Sequence, residues 1–294
     1  MKNSNVLSQP LCQPFECCEL ASDSMPPSEE TRIHYFAEFV FLREGRLRYI
    51  LDQEEVIVSP GDVVLLCPGQ RHCVNPVGEG PFRLDLLRID LDRLPGRPEY
   101  APEMKTIFEE ALREQMPMLV PAPEARAMNF PELFARSILE AENRAYGYDA
   151  CVTSLMTLIC LSVIRFWMGR GLKPGNSGIQ ADPIYSLSGY IQDHLREGLR
   201  VEDLAAICRL SYPWFAKKFR EIYGMSCKDY IERIRVARVE QFLMFTDMDL
   251  TRISEATGYA DCSHMIKNFK RIREITPGQY RLKMKAGRTH LRGE

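Results

Sequence analysis

The apolar positions of this chain change period twice. Between residues 33 and 91, short apolar runs alternate with turn signals. HYFAEFVFLREGRLRYILDQEEVIVSPGDVVLLCPGQRHCV breaks at Glu44-Gly45, Asp52-Gln53, Pro60-Gly61 and Pro68-Gly69, and FRLDLLRIDL alternates almost strictly. Short strands so closely spaced predict a small antiparallel barrel. Beyond Pro95 the spacing lengthens to three and four, predicting helices over 104–115, 131–144 and 149–168. The proline-rich MPMLVPAPEA between the first two reads as a loop. GRGLKPGNSGIQAD, residues 169–182, reads as a linker. From Pro183 the pattern is helical throughout, with a first helix over 184–196 and a long one over 228–245. Residues 1–30 show neither period and read as an irregular arm with room for one short strand.

The helical segment from Pro183 onward contains the same unit written twice. LAAICRLSYPWFAKKFREIYGMSCKDY starts at Leu204 and ISEATGYADCSHMIKNFKRIREITPGQY at Ile253. Leu204 aligns with Ile253, and after one residue inserted in the second turn Ser211 aligns with Asp261, Phe215 with Met265, Phe219 with Phe269 and Tyr230 with Tyr280. Each copy is a short apolar helix, a tight turn, a capping residue and a second amphipathic helix, the helix-turn-helix plan. Phe215/Phe219 and Met265/Phe269 form the inward face. Candidate DNA-contacting residues on the opposite face are Pro213, Ala216, Lys217 and Arg220 in the first copy. In the second they are Cys262, Ser263, His264, Ile266, Lys267 and Lys270. Ile266 has two readings, contact with a thymine methyl or packing on the neighbouring helix.

Charge sharpens the division. Residues 1–182 hold 18 Lys+Arg against 26 Asp+Glu, a net −8, while residues 183–294 hold 20 against 14, a net +6. The basic half is the half with the repeat, as phosphate binding requires. The start of the chain has no continuous apolar core, and the apolar run 152–167 reads as too short and too polar to span a bilayer. The ten cysteines then read as reduced thiols of a cytosolic protein, with no C-x-x-C pair to suggest zinc.

The second repeat and its tail resemble the DNA-binding domain of the AraC/XylS family of transcription regulators. The matching positions are Leu250, Ile253, Gly258, Tyr259, Phe269, Lys270, Arg271, Thr276, Pro277, Tyr280 and Arg281. One departure is Glu274, where the family usually has the glycine that closes the recognition helix; Gly224 keeps that role in the first copy. The resemblance implies a sequence-specific regulator, an activator by family habit, that binds double-stranded DNA, works with RNA polymerase and forms a homodimer through the helices at 101–168.

The strand-rich segment resembles the cupin-type sensory barrel of the same family. Arg32, His34, Glu38 and Gly45 fall on the first cupin motif; Gly61, Asp62, Gly69 and His72 fall on the second, with Cys67 in place of a proline. The resemblance makes Arg32, His34, Glu38 and His72 candidate effector-binding residues, the effector being a small organic molecule, with sugars a common class in the family. Arginine has no lone pair to give a metal, so Arg32 in the first ligand position argues against a metal site, and no cofactor is expected. The other reading, of these residues as satisfied structural polar groups, stays open.

The expected fold is therefore α+β in two domains. A cupin-like barrel (31–100) is followed by a helical cover or dimerisation segment (101–168) and the linker. A double helix-turn-helix domain (183–286), its units joined by a long helix, precedes a polar tail (287–294). Catalytic residues are not expected. Two rival readings are a metal-dependent cupin enzyme with a helical accessory domain and a regulator that senses oxidants through Cys17, Cys18, Cys67 or Cys73.

Overall fold

The computed structural model describes residues 11, 14–22, 31–52, 54–78, 80–94, 103–173 and 183–290. Most of the arm, part of the linker (174–182) and the last four residues lie outside them. The chain divides into two compact units, residues 1–186 with 221–224 and residues 187–220 with 225–294.

The first unit contains eight strands among the described residues: β1 (Phe15–Ala21), β2 (Ala37–Glu44), β3 (Leu47–Leu51), β4 (Glu54–Val58), β5 (Val63–Leu66), β6 (His72–Pro76), β7 (Arg83–Ile89) and β8 (Leu119–Val120). They form two antiparallel sheets, ordered β1-β7-β2-β5-β8 and β4-β3-β6. A bridge between Arg32 and His72 adds a further backbone pairing beside β6. The strands follow the sequence pattern. In β3, Leu47, Tyr49 and Leu51 are buried while Arg48 and Ile50 are exposed, so one face is covered and the other meets solvent. β5 is buried along its whole length, and β2 and β7 along most of theirs, because helices pack behind the larger sheet. Phe39 of β2 meets Phe108 of α1 (Met104–Arg113) edge-on at 6.2 Å, and Phe41 lies 5.8 Å from Phe134 of α3 (Phe130–Asn143).

Two expectations change here. The arm contains a full seven-residue strand, β1, paired along β7. The proline-rich segment is not a loop throughout: β8 extends the sheet beside β5, and α2 (Ala122–Ala127) follows directly. Pro121 caps α2 and Pro123 stands in its first turn, where the missing N–H is no loss. The third helix, α4 (Tyr148–Met168), is 21 residues long with mean hydropathy 1.8 over its most apolar window. By length and composition it could cross a membrane, against the shorter, more polar run read from sequence. Half of that window is nonetheless buried within the protein. Trp167 near its end is fully buried and donates its indole N–H to the Pro117 carbonyl at 2.9 Å.

The second unit contains α5 (Leu187–Asp193), α6 (Val201–Ile207), α7 (Tyr212–Tyr223) as far as Arg220, α8 (Cys227–Phe245), α9 (Leu250–Ala256), α10 (Cys262–Arg273) and α11 (Pro277–His290). α11 runs to His290, four residues into the stretch read as a polar tail. A 3-10 turn at Pro183–Ser186 precedes α5, so the helix expected over 184–196 starts later and is shorter. α8 is the rigid connector. Val236, Val239 and Leu243 of α8 share one buried cluster with Ile253, Met265, Phe269 and Tyr280. The starts of α8, α9 and α10 are each set by a side chain that satisfies a free N–H: Ser226 for Asp229, Asp249 for Arg252 and Asp261 for His264.

Candidate functional site

Two constellations stand out, one in each unit. In the first, strand register brings together residues far apart in sequence. β7 lies between β1 and β2, and Arg88 is paired with Glu16 on one side and Glu38 on the other. Arg88 is fully buried; its Nε lies 2.7 Å from Glu38 Oε2 and its Nη1 2.9 Å from Glu16 Oε2. Burial alone would lower the guanidinium pKa, but the two carboxylates outweigh it and the pKa is raised. Arg88 therefore ties Glu38 to Glu16 inside the unit.

His34, Glu38 and His72 are all buried, each offering one ligand atom, and these atoms lie within 4.8 Å of one another. The two imidazoles have centroids 4.8 Å apart, and His34 stacks on Phe36 at 4.0 Å. His34 Nδ1 lies 2.8 Å from the Phe36 carbonyl and His72 Nδ1 3.2 Å from the Gln70 carbonyl. A carbonyl only accepts, so each Nδ1 carries the proton and each Nε2 keeps its lone pair. Burial pushes both imidazole pKa values down, and each histidine is neutral at ordinary pH. His34 Nε2 has no hydrogen-bond partner and sits 3.9 Å from Glu38 Oε2. Arg32 exchanges backbone hydrogen bonds with His72, is half-buried, and its charge also lowers the His72 pKa.

The cluster can accept hydrogen bonds at two ring nitrogens and a carboxylate, with two guanidinium groups near it. A metal fits less well, although the Nδ1–carbonyl bonds suit nitrogen ligands. Metal–ligand bonds of about 2.0–2.2 Å keep donors within roughly 4.4 Å of one another, so the three would have to draw in. Glu38 is also committed to Arg88, and Arg32 adds a second cation. The residues fit a polar organic ligand better than a metal. Arg88 was missed in the sequence; the one local signal was a charged residue inside the apolar run LLRI. Three of the four thiols offered for redox sensing are poor candidates. Burial raises the pKa of Cys17 and Cys67, and pushes Cys18 up to about 12, so little reactive thiolate forms.

In the second unit the repeat folds as two helix-turn-helix pairs, α6–α7 and α9–α10. Phe215 and Phe219 face inward in the first, Met265 and Phe269 in the second, all fully buried. Lys217 and Lys267, equivalent by sequence, are both exposed. Pro213, Arg220, Ser263, His264 and Lys270 are exposed too, while Ala216 is half-buried. Cys262 and Ile266 are half-buried and pack against the α8–α10 cluster, which favours the packing reading of Ile266. Arg273 of α10 is anchored to the buried carboxylate of Glu240 on α8 at 2.6 Å, fixing the reading helix to the connector.

A helix-turn-helix domain model matches residues 204–283, and a cupin domain model matches residues 23–90. The chain is 24% identical over 153 residues to the MmsAB operon regulatory protein of Pseudomonas aeruginosa, a match covering 51% of this chain and 47% of that one. It thus spans about half the length of that relative. It is 26% identical over 280 residues to the RCS-specific HTH-type transcriptional activator RclR of Escherichia coli K12, covering 90% of each. Among solved structures, unsaturated fatty acid bound wild-type ToxT from Vibrio cholerae strain SCE256 aligns over 91% of this chain and 94% of its own at 13% identity, with TM-score 0.38. Strand-built and helix-turn-helix regions in this order, each matched by its own domain model, make the chain similar to the AraC/XylS family of DNA-binding transcription regulators.

Proposed function

We propose that this protein is an effector-responsive, sequence-specific transcription regulator acting in the cytoplasm. The second unit reads two segments of one duplex, and the first unit binds a small polar organic molecule at His34, Glu38, His72 and Arg32. The observation that carries the effector reading is the buried convergence of two neutral imidazoles and a carboxylate in the strand-built unit. A regulator that only bound DNA would gain nothing from burying these groups, whose desolvation is costly. The ligand class the groups suit offers hydroxyl donors to the ring nitrogens and Glu38, and acidic or hydroxyl oxygens to Arg32.

Ligand occupancy would act by differential affinity for two arrangements of the regulator, shifting their populations. We take the outcome as activation, in line with relatives such as RclR, and the contact as one with RNA polymerase. Dimerisation is assigned to α3 and α4. Exposed Leu139, Leu158 and Met168 lie on those helices, a pattern that suits a second copy of the chain.

The test uses full-length protein and a duplex recovered from a random pool by repeated selection for binding. A double replacement of His34 and His72 by Ala should leave binding to that duplex intact while abolishing its response to the effector found by screening. Loss of duplex binding in the double variant would instead assign the histidines to folding. Metal in the purified wild-type protein at one ion per chain, lost in the variant, would refute the organic-ligand reading.

A further inference from the structure

The two reading helices differ in chemistry although they share a fold. Trp214, the third residue of α7, is 54% exposed, and Lys217 Nζ stands 5.4 Å from the centre of its indole ring. At 100° per residue, Trp214 lies about 60° around the helix from Lys217, on the side away from buried Phe215 and Phe219. Tyr212 is also exposed, but about 160° from Trp214 and away from Lys217. The residue equivalent to Trp214 in α10 is His264. Its Nε2 accepts a hydrogen bond from the Asn268 amide at 2.9 Å, and its ring sits edge-on to Tyr259 at 5.5 Å. The apolar residues of the outer α10 face, Cys262 and Ile266, are drawn into the core. Apolar contact on the reading surface is thus available in the first copy through Trp214.

An indole left in water beside a lysine is matched by a partner that is anionic and also offers an apolar spot. The major groove of DNA has both: phosphates along its edges, and the thymine methyl as the apolar group among the base-pair edges. Residues in the first turns of a recognition helix are the ones that reach those edges. We propose that Trp214 is a specificity-determining residue of the first reading helix, packing its indole against a thymine methyl next to the contact made by Lys217. The half-site read by α7 then requires a thymine at one position, and the half-site read by α10 has no such requirement at the equivalent place. The inference rests on the DNA-binding reading of the second unit.

The experiment takes the full-length protein and the selected duplex, and replaces each thymine in turn by deoxyuridine, which removes only the methyl group. Wild-type affinity should fall about three- to tenfold at one thymine of the α7 half-site. Trp214→Ala should bind the unmodified duplex about tenfold more weakly and be indifferent to that replacement, while keeping the salt dependence of wild type, since no phosphate contact is lost. Trp214→Phe should retain part of the methyl effect, which shows that the helix is folded. The proposal is overturned if Trp214→Ala binds as tightly as wild type, or if the deoxyuridine effect is equal in both proteins. It is overturned as well if Trp214→Ala loses transcription alone, which would assign the side chain to a protein partner. If wild type selects no duplex at all, the regulator reading fails with it; if it selects one and only the methyl effect is missing, the regulator reading stands.

Discussion

The two helix-turn-helix copies need a left-handed backbone at the same two points, the turn between helices and the end of the reading helix. At the turn the first copy has Arg209 (φ 55°) and the second Gly258 (φ 75°); at the helix end the first has Gly224 (φ 71°) and the second Glu274 (φ 62°). The hydrogen bonds around the turn correspond: Leu210 N donates to Ala205 O at 3.0 Å and Tyr259 N to Ser254 O at 3.0 Å. Each copy therefore has one glycine, and the two copies place it at opposite points. The packing of each unit imposes the conformation, and a non-glycine residue accepts it at a cost of about 1–2 kcal/mol. At Gly258 space matters as well. A Cβ built there would run into the Leu195 carbonyl, so this glycine is required by a close approach as well as by φ.

That comparison can be broken most sharply at Gly258. Replacing it by Ala should destabilise the second unit by about 2–4 kcal/mol, combining left-handed strain with a backbone clash. Gly224→Ala should cost about 1–2 kcal/mol from its left-handed strain. Urea unfolding of the two variants followed by helical circular dichroism checks the order; equal losses would remove the close-approach argument. Next comes DNA affinity. Lys217→Ala and Lys267→Ala should each weaken binding to the selected duplex by about 1–3 kcal/mol if the side chain meets a base edge. Titration at two salt concentrations separates this from a phosphate contact, which would weaken all duplexes alike. Unchanged affinity in both variants would mean that DNA meets another face.

Smaller effects test the ends of the reading helices. Asp261→Ala removes the oxygen that accepts from His264 N at 2.7 Å, and should cost about 1 kcal/mol. The smallest effect has the opposite sign. Glu274→Gly relieves a left-handed non-glycine residue and should stabilise the unit by about 0.5–1 kcal/mol after the entropy cost of glycine is counted. Arg209→Gly should behave alike. A loss of stability in both would show that the arginine and glutamate side chains make contacts that outweigh the strain.

Legibility in the sequence followed the range of the interactions. The repeat, its cap at Asp261, and the inward pairs Phe215/Phe219 and Met265/Phe269 act within a few residues, and spacing alone displays them. β8 has only two residues, too few to show a period, and its prolines pointed to a loop. The convergence of His34, Glu38 and His72 was expected on motif resemblance, but Arg88 was not. It meets Glu16 and Glu38 across 72 and 50 residues of chain, through a register that only the assembled sheet sets. Glu274 lay between: its sequence raised the question of strain, and the left-handed φ answers it.

The central claim is that α7 and α10 read one duplex together. Hydroxyl-radical footprinting of the full-length protein on its selected duplex tests it most directly. Two protected tracts on one face of the DNA, about one helical turn or 34 Å apart, are expected. Lys217→Ala should fade one tract and Lys267→Ala the other. A single tract weakened equally by both variants, or no protection in low salt, would contradict the account.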